Sequence, residues 1–236
     1  MTRLFTFGCS FTNYRWSTWA DCLAPEFDYF ENWGQSGAGN HYIFNSIMEA
    51  DQRHRFGAGD TVIVCWTNVL RDDRYIKDRW ITLGGVASAN VYTKEFLTYE
   101  VDLRGYFIRD IAMIKAAKEM FKSRPGVKWY FTSMIPMHME DIHTNVTVDQ
   151  DVVELYQDVL DDFVPSFFET LRPQGWWASP AMPMDDHPSP AEHLEFLDKH
   201  FPGWVTKPET RVKIATETNH LRKDPHKDGM CRLPRL

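Results

Sequence analysis

The sequence predicts an α/β fold, in which helices cover both faces of a parallel sheet, and two observations carry the prediction. Short apolar runs alternate along the chain with longer segments of helical periodicity, as expected where helices connect parallel strands. The apolar runs are continuous, which is typical of strands that are buried on both faces. The 236 residues are enough for one sizeable domain with a buried core.

Four strands and four helical segments are predicted. The strands cover residues 3–8, about 27–33, 61–66 and 128–133, and the helical segments cover 40–54, 103–126, 151–172 and 190–200. In the first helical segment, Ile43, Ile47 and Met48 recur on one face at helical spacing. The second closes on Pro125 and Gly126, a stop signal for a helix.

Two regions depart from this alternation. Between the third strand and the long helix lies an irregular insert, about 70–102, which is too long for a simple connector. Past Phe201 the apolar pattern dissolves into polar sequence dotted with proline. The predicted organisation is therefore one domain, 1–203, that contains the insert, followed by a C-terminal basic arm, 204–236.

The charge of the chain argues against a general nucleic-acid binder. The net charge is −7, whereas such proteins present positive charge to the phosphates. The balance is uneven, because residues 207–236 hold eight Lys and Arg against four Asp and Glu. We expect this basic arm to dock on the protein's own acidic body, since acidic residues are interspersed in it.

The sequence predicts a cytoplasmic protein with no membrane partner. No run approaches the roughly 18 apolar residues of a membrane span, and the opening MTRLFTFG enters a strand without a signal region. The four cysteines form no close pair and no CxxC, which argues against a zinc knuckle or a disulfide scaffold and fits a reducing compartment.

Polar residues and glycines follow the predicted strands, where open α/β sheets form their sites. The relevant stretches are Gly8-Cys9-Ser10-Phe11-Thr12, NWGQSGAGN at 32–40, Trp66-Thr67-Asn68, and MDDHPSPAEH at 184–193. A serine in a glycine-preceded turn can expose its hydroxyl and its own N–H together. The glycine-rich second stretch lets the backbone N–H of Gly37 approach an oxyanion, Asn68 offers a side-chain N–H, and a late histidine supplies a base.

The order of these blocks resembles the SGNH hydrolases, also called the GDSL esterase and lipase superfamily, over residues 3–200. The resemblance implies that Ser10 is the nucleophile and that His187, followed by proline, is its base. It also implies that Ser10, Gly37 and Asn68 form the oxyanion hole. The fold that it implies is a three-layer α/β/α sandwich with a central parallel sheet, flavodoxin-like in topology, and the chemistry is a metal-free hydrolysis of esters without a cofactor.

Two blocks depart from the family pattern near the strand ends. Cys9 replaces the aspartate that precedes the family's serine, and Trp66 replaces the glycine before the Thr-Asn pair. Cys9 is a competing nucleophile, but strand alternation turns it toward the core, where free cysteine is usually a small buried hydrophobe. Ser10 therefore remains the predicted nucleophile.

The catalytic acid is displaced. The family's acid normally lies three residues before the histidine, and Met184 occupies that position here. Asp185 is the favoured substitute, because Asp186 is adjacent to His187 and adjacent side chains tend to point apart. A backbone carbonyl that orients the imidazole, leaving a Ser–His dyad, stays open as an alternative.

The other histidines receive different predictions. Ser189-Pro190-Ala191-Glu192 is a capping box, which places His187 just outside a helix N-terminus that favours a neutral base. His193, inside that helix, is predicted to pack in the core. His138 and His143, with Asp141 nearby, match no compact metal motif and are predicted to line the substrate cleft.

Residues Arg71 to Arg74 are predicted to be a solvated or self-paired charge cluster. The nine tryptophans are expected mostly in the core.

The predicted function is an SGNH-type serine esterase or deacetylase that forms an acyl-enzyme on Ser10. Its substrate would be a small-molecule or glycan ester with a short acyl group, such as a carbohydrate O-acetyl. The main alternative is a non-catalytic glycan-binding, structural or assembly protein on the same fold, which the displaced acid and the extra C-terminal arm favour. A metal-dependent phosphoesterase is a third possibility, and it requires His138 and His143 to converge with Asp185.

Overall fold

A computed structural model describes residues 1–87, 92–139, 146–174, 185 and 187–223. Its strands are β1 (Arg3–Gly8), β2 (Tyr29–Asn32), β3 (Asp60–Trp66), β4 (Arg71–Ile76), β5 (Arg79–Gly85) and β6 (Lys128–Ser133). Four of them form a parallel sheet in the order β2–β1–β3–β6, while β4 and β5 form an antiparallel hairpin. The predicted parallel α/β fold is confirmed.

The described residues form nine α-helices. They are α1 (Trp19–Leu23), α2 (Asn40–His54), α3 (Lys94–Tyr99), α4 (Leu103–Lys122), α5 (Gln150–Leu155), α6 (Gln157–Leu160), α7 (Phe167–Leu171), α8 (Pro190–His200) and α9 (Pro208–Lys223). Helix α2 packs with α4, and α8 packs with α1, α7 and α9, so helices flank the sheet. None of the described helices is long and apolar enough to cross a membrane.

The strand order places a crevice between β1 and β3. The chain leaves β1 for β2 on one side and then crosses to β3 on the other, which makes this the topological switch point where open α/β sheets bind ligands. All seven residues of β3 are buried, as are Leu4 to Gly8 of β1. The two strands that carry Ser10 and Asn68 are therefore fixed in the core.

The predicted helix over 151–172 is divided into α5, α6 and α7. The division coincides with a backbone contact to the sheet: Val164 N donates to Phe131 O at 2.8 Å, and Phe163 forms a parallel bridge with Phe131. Pro165 follows, and a proline disfavours helical geometry in the residue before it. The helical prediction was therefore wrong at residues 161–166.

The insert is more ordered than its sequence predicts. Its hairpin turns at Lys77 and Asp78, which both have positive φ values of 50° and 61°, the geometry of a tight type I′ turn. Residues 92–102 contain the short helix α3. The hairpin lacked a strand signal because β4 reads RDDRYI, with charged residues at four of six positions.

The described part of the C-terminal arm docks on the body. Thr206 N and Lys207 N donate to Glu26 Oε1 at 3.1 and 3.0 Å. Helix α9 lies against α8, where Arg211 Nη2 is 2.6 Å from Asp198 Oδ1. Residues 224–236 lie outside the described residues, and so does Cys231; Cys9, Cys22 and Cys65 are buried free thiols.

Candidate active site

Ser10 follows β1 in a tight turn that depends on Gly8. Thr12 N and Asn13 N both donate to Cys9 O, at 2.9 and 3.2 Å, so one helical turn begins directly after the strand. Gly8 has φ = 157°, and a Cβ there would lie 2.1 Å from Thr12 Oγ1 and 2.9 Å from Cys65 O. The turn therefore requires glycine at this position.

Replacing Gly8 is expected to destabilise the whole domain. Gly8→Ala places its methyl group inside contact distance of a neighbouring strand's carbonyl, and we expect a loss of about 3 kcal/mol or more in the free energy of unfolding. Urea denaturation measures the loss. Gly57→Ala is the control, because a Cβ there would meet only Arg55 O at 3.8 Å. A Gly8→Ala protein as stable as the control would contradict this account of the turn.

Ser10, His187 and Asp185 form a continuous hydrogen-bonded chain. Ser10 Oγ lies 2.8 Å from His187 Nε2, and His187 Nδ1 lies 2.6 Å from Asp185 Oδ1. His187 N also donates to Asp185 Oδ1 at 3.0 Å, so the side chain of Asp185 turns back toward the histidine two positions later. A serine hydroxyl, an imidazole and a carboxylate are thus in the geometry of a catalytic triad.

The other oxygen of Asp185 has two further partners. Tyr14 Oη donates to Asp185 Oδ2 at 2.7 Å, and Arg15 Nη2 does so at 3.1 Å. Burial alone raises the pKa of Asp185, but hydrogen bonds from His187 and Tyr14 outweigh it and lower the pKa to about 2. Burial and the bond to Asp185 raise the pKa of Tyr14. Asp185 is therefore ionised at neutral pH.

Tyr14 also lies flat against the imidazole of His187. The two ring centroids are 3.9 Å apart with an interplanar angle of 12°, and Phe11 contacts the same imidazole with centroids 5.6 Å apart. Tyr14 and Arg15 were not predicted from the sequence. Their partners lie about 170 positions away along the chain, and no local pattern encodes such a pairing.

The hairpin shapes the loop that carries Gly37. Gly37 has φ = 75°, and a Cβ there would lie 2.6 Å from Thr82 O. Gly84 N donates to Gly37 O at 2.9 Å, and Thr82 Oγ1 donates to Ser36 O at 2.8 Å. The loop can therefore pass under the hairpin only with glycine at position 37.

Asn68 is held by Arg71. Arg71 Nε donates to Asn68 Oδ1 at 2.7 Å, and Arg71 Nη1 donates to Ala38 O at 2.8 Å. Because the oxygen of the amide faces the guanidinium, the Nδ2 donor of Asn68 is directed away from it. Arg71 thus connects the second and third blocks of the predicted oxyanion hole.

Further hydrogen bonds tie the strand ends into one unit. Gln35 N donates to Gly8 O at 3.0 Å, which joins the second block to the first. Asn40 receives a bond from Thr67 N at 2.9 Å and donates to Thr67 O at 3.1 Å. Asn40 also donates to buried Asp110 at 2.7 Å, whose pKa burial raises to about 6.

The prediction of a solvated charge cluster at 71–74 was wrong for two of its residues. Asp73 is buried and caps the start of α2, accepting from Gly39 N at 2.8 Å and from Tyr42 N at 2.8 Å. Arg71 makes the contacts with Asn68 and Ala38 already described. Only Arg74 and Asp72 form a self-paired surface ion pair, at 3.0 Å.

The remaining predicted site residues have different outcomes. His193 is buried in the core against Phe11 and Phe167, and burial lowers its pKa to about 3, so it is neutral. His138 is half-buried after β6, where its carbonyl accepts from Val148 N at 2.8 Å, and its role in substrate binding stays a prediction.

His143 lies outside the described residues, as do Asp141, Met184 and Asp186. Among the residues that are described, no three His, Cys, Asp or Glu side chains converge as a metal shell.

Comparisons with known proteins agree with this architecture. No family model matches the chain, and no curated protein matches it. A solved member of the lipolytic G-D-S-L family from Veillonella parvula superposes with a TM-score of 0.50 at 13% identity, covering 88% of this chain and 100% of that one. A psychrotrophic esterase from a Pseudoalteromonas species, inhibited by monoethylphosphonate, gives a TM-score of 0.48 at 11% identity, covering 88% and 100%. The chain has the fold of the SGNH hydrolases.

Proposed function

We propose that the protein hydrolyses an ester through an acyl-enzyme on Ser10. The observation that carries the proposal is the chain of two hydrogen bonds from Ser10 Oγ through His187 to Asp185, at 2.8 and 2.6 Å. This is the arrangement in which a serine becomes a nucleophile at neutral pH. The contact between Asp185 and His187 at 2.6 Å supports this proposal over a non-catalytic protein on the same fold, which the displaced acid and the C-terminal arm favour.

In the proposed mechanism, His187 Nε2 accepts the proton of Ser10 as Oγ attacks the acyl carbonyl. The N–H groups of Ser10 and Gly37 and the Nδ2 of Asn68 stabilise the oxyanion. Collapse of the tetrahedral intermediate expels the alcohol, which takes the proton from His187. Water then attacks the acyl-enzyme with His187 again as the base, releasing the carboxylic acid and restoring Ser10.

The proposed substrate is a small-molecule or glycan ester with a short acyl group. Ser10 is largely buried, with 7% of its surface exposed, and this exposed part is where the acyl carbonyl would meet its hydroxyl. A carbohydrate O-acetyl fits this description, because the transferred acyl group has only two carbons.

Labelling with a fluorophosphonate probe tests the assignment of the nucleophile. We expect the native protein to be labelled, Ser10→Ala to lose all labelling, and Cys9→Ala to keep most of it. Cys9 is completely buried in the core, so its thiol cannot meet the probe, and its substitution serves as the matched control one residue away. Labelling that survives Ser10→Ala but is lost in Cys9→Ala would reverse the assignment.

A further inference from the structure

We propose that Tyr14 is a positioning residue that makes the displaced acid competent, acting together with Arg15 through Asp185 and His187. The inference rests on the proposed function, since it concerns the same site. Neither residue was expected from the block pattern, and neither touches Ser10 Oγ in the contacts described above. Their effect on the reaction would pass through the orientation of the imidazole.

The carboxylate of Asp185 is constrained on both oxygens. Oδ1 faces His187 Nδ1 at 2.6 Å and N at 3.0 Å, while Oδ2 accepts from Tyr14 Oη at 2.7 Å and Arg15 Nη2 at 3.1 Å. An aspartate only two residues before its histidine sits on a short connection with few ways to point at Nδ1. The two donors on Oδ2 prevent the carboxylate from rotating away, so Oδ1 stays aimed at the imidazole.

The ring of Tyr14 constrains the histidine directly. It lies parallel to the imidazole at a centroid distance of 3.9 Å, which fixes the plane of that ring and keeps Nε2 directed at Ser10 Oγ. An aromatic face also stabilises the positive charge that the imidazole acquires when it takes the serine proton. Tyr14 therefore acts through two separable features, its hydroxyl and its ring.

Trp16 holds the segment that carries Tyr14 in place. Trp16 contacts the ring of Tyr14 with centroids 4.5 Å apart, and its Nε1 donates to Pro188 O at 2.8 Å. Trp16 also packs against Leu221 of α9. Trp16 therefore ties the segment that carries Tyr14 to the loop after His187 and to helix α9.

Two substitutions separate the hydroxyl from the ring. Tyr14→Phe keeps the stacked ring and removes the bond to Asp185, so we expect kcat for p-nitrophenyl acetate to fall about 10-fold. Tyr14→Leu removes both features, and we expect a fall of about 100-fold. KM should change less than about threefold in each, because the substrate contacts remain.

Tyr92→Phe is the matched control. Tyr92 Oη donates to Asp72 Oδ2 at 2.9 Å, and Arg74 binds the same oxygen at 3.0 Å, so a second tyrosine and arginine hold an aspartate whose described contacts include no triad residue. We expect Tyr92→Phe to keep kcat within about twofold of the native protein. If Tyr14→Phe and Tyr92→Phe lower kcat by the same factor, Tyr14 has only a structural role and the proposal is overturned.

NMR of protein with ¹⁵N-labelled histidine supplies a readout that needs no turnover. The Nδ1 proton of His187, held against Asp185, should be observable in the native protein and in Tyr92→Phe, and should be broadened by solvent exchange in Tyr14→Leu. An unchanged proton signal and an unchanged kcat in Tyr14→Leu would overturn the positioning role while leaving the hydrolase intact. A failure of the proposed function would be seen separately, because p-nitrophenyl acetate hydrolysis would then persist in Ser10→Ala.

Discussion

His187→Ala is expected to lower kcat for p-nitrophenyl acetate by about 10⁴-fold or more, with little change in KM. Without the imidazole, Ser10 Oγ loses the base that lies 2.8 Å away, and the hydroxyl stays protonated at neutral pH. The leaving alcohol also loses its proton donor, so both halves of the reaction are slowed. Steady-state kinetics on the purified variant measure the loss.

His54→Ala is the control for this substitution. His54 Nε2 lies 3.0 Å from Glu31 Oε2, so it too belongs to a histidine–carboxylate pair of similar burial. It sits beside Arg3 at the start of β1, whereas Ser10 follows the other end of that strand. We expect activity within about threefold of the native protein for His54→Ala. A His187→Ala variant that keeps more than a tenth of native kcat would exclude His187 as the base.

The sequence predicted best the elements whose apolar residues indicate that they are buried. The two central strands, β1 and β3, are rich in apolar residues and are buried along nearly their whole length. Helix α9 was missed for the opposite reason. Its buried positions recur at helical spacing, but three of the five are Thr210, Glu217 and Thr218, so an apolar periodicity was absent.

In the candidate site too, some residues could be predicted from local sequence and others could not. Ser10, Gly37, Asn68 and His187 lie at strand and helix ends that local sequence marks with glycine, asparagine or a capping box. Arg71 binds Asn68 from within a hairpin that had no strand signal. Charged residues were assigned to solvent by default, and only the tertiary fold shows which of them find buried partners.

Asp185→Asn is expected to lower kcat by about 10² to 10⁴-fold. Tyr14 Oη and Arg15 Nη2 both donate to the outer oxygen of Asp185, at 2.7 and 3.1 Å. An asparagine must offer its carbonyl oxygen to these donors and so turns its NH₂ toward His187. Because Nδ1 of His187 then faces the NH₂ of the asparagine, it must act as a hydrogen-bond acceptor, and the imidazole proton moves to Nε2. Nε2 can then no longer accept the hydroxyl proton of Ser10.

The ionisation of Asp185 itself should not contribute to the pH dependence of kcat over the working range. The pKa of Asp185 is lowered to about 2, so the carboxylate is ionised throughout pH 4 to 8. Its contribution to stability is present above the unfolded pKa near 3.8 and is lost only as pH falls through about 2. The native pH–rate profile should therefore show no ionisation of Asp185 between about pH 5 and 8.

Asp72→Asn is the matched control for Asp185→Asn, because Asp72 is also held by a tyrosine and an arginine, Tyr92 and Arg74. It should leave kcat within about twofold of the native value. Asp186→Asn, at the neighbouring carboxylate, should cost less than about tenfold. If Asp185→Asn and Asp186→Asn both leave kcat unchanged while His187→Ala abolishes it, the reaction proceeds through a Ser10–His187 dyad, and the four bonds to Asp185 only shape the turn before the histidine.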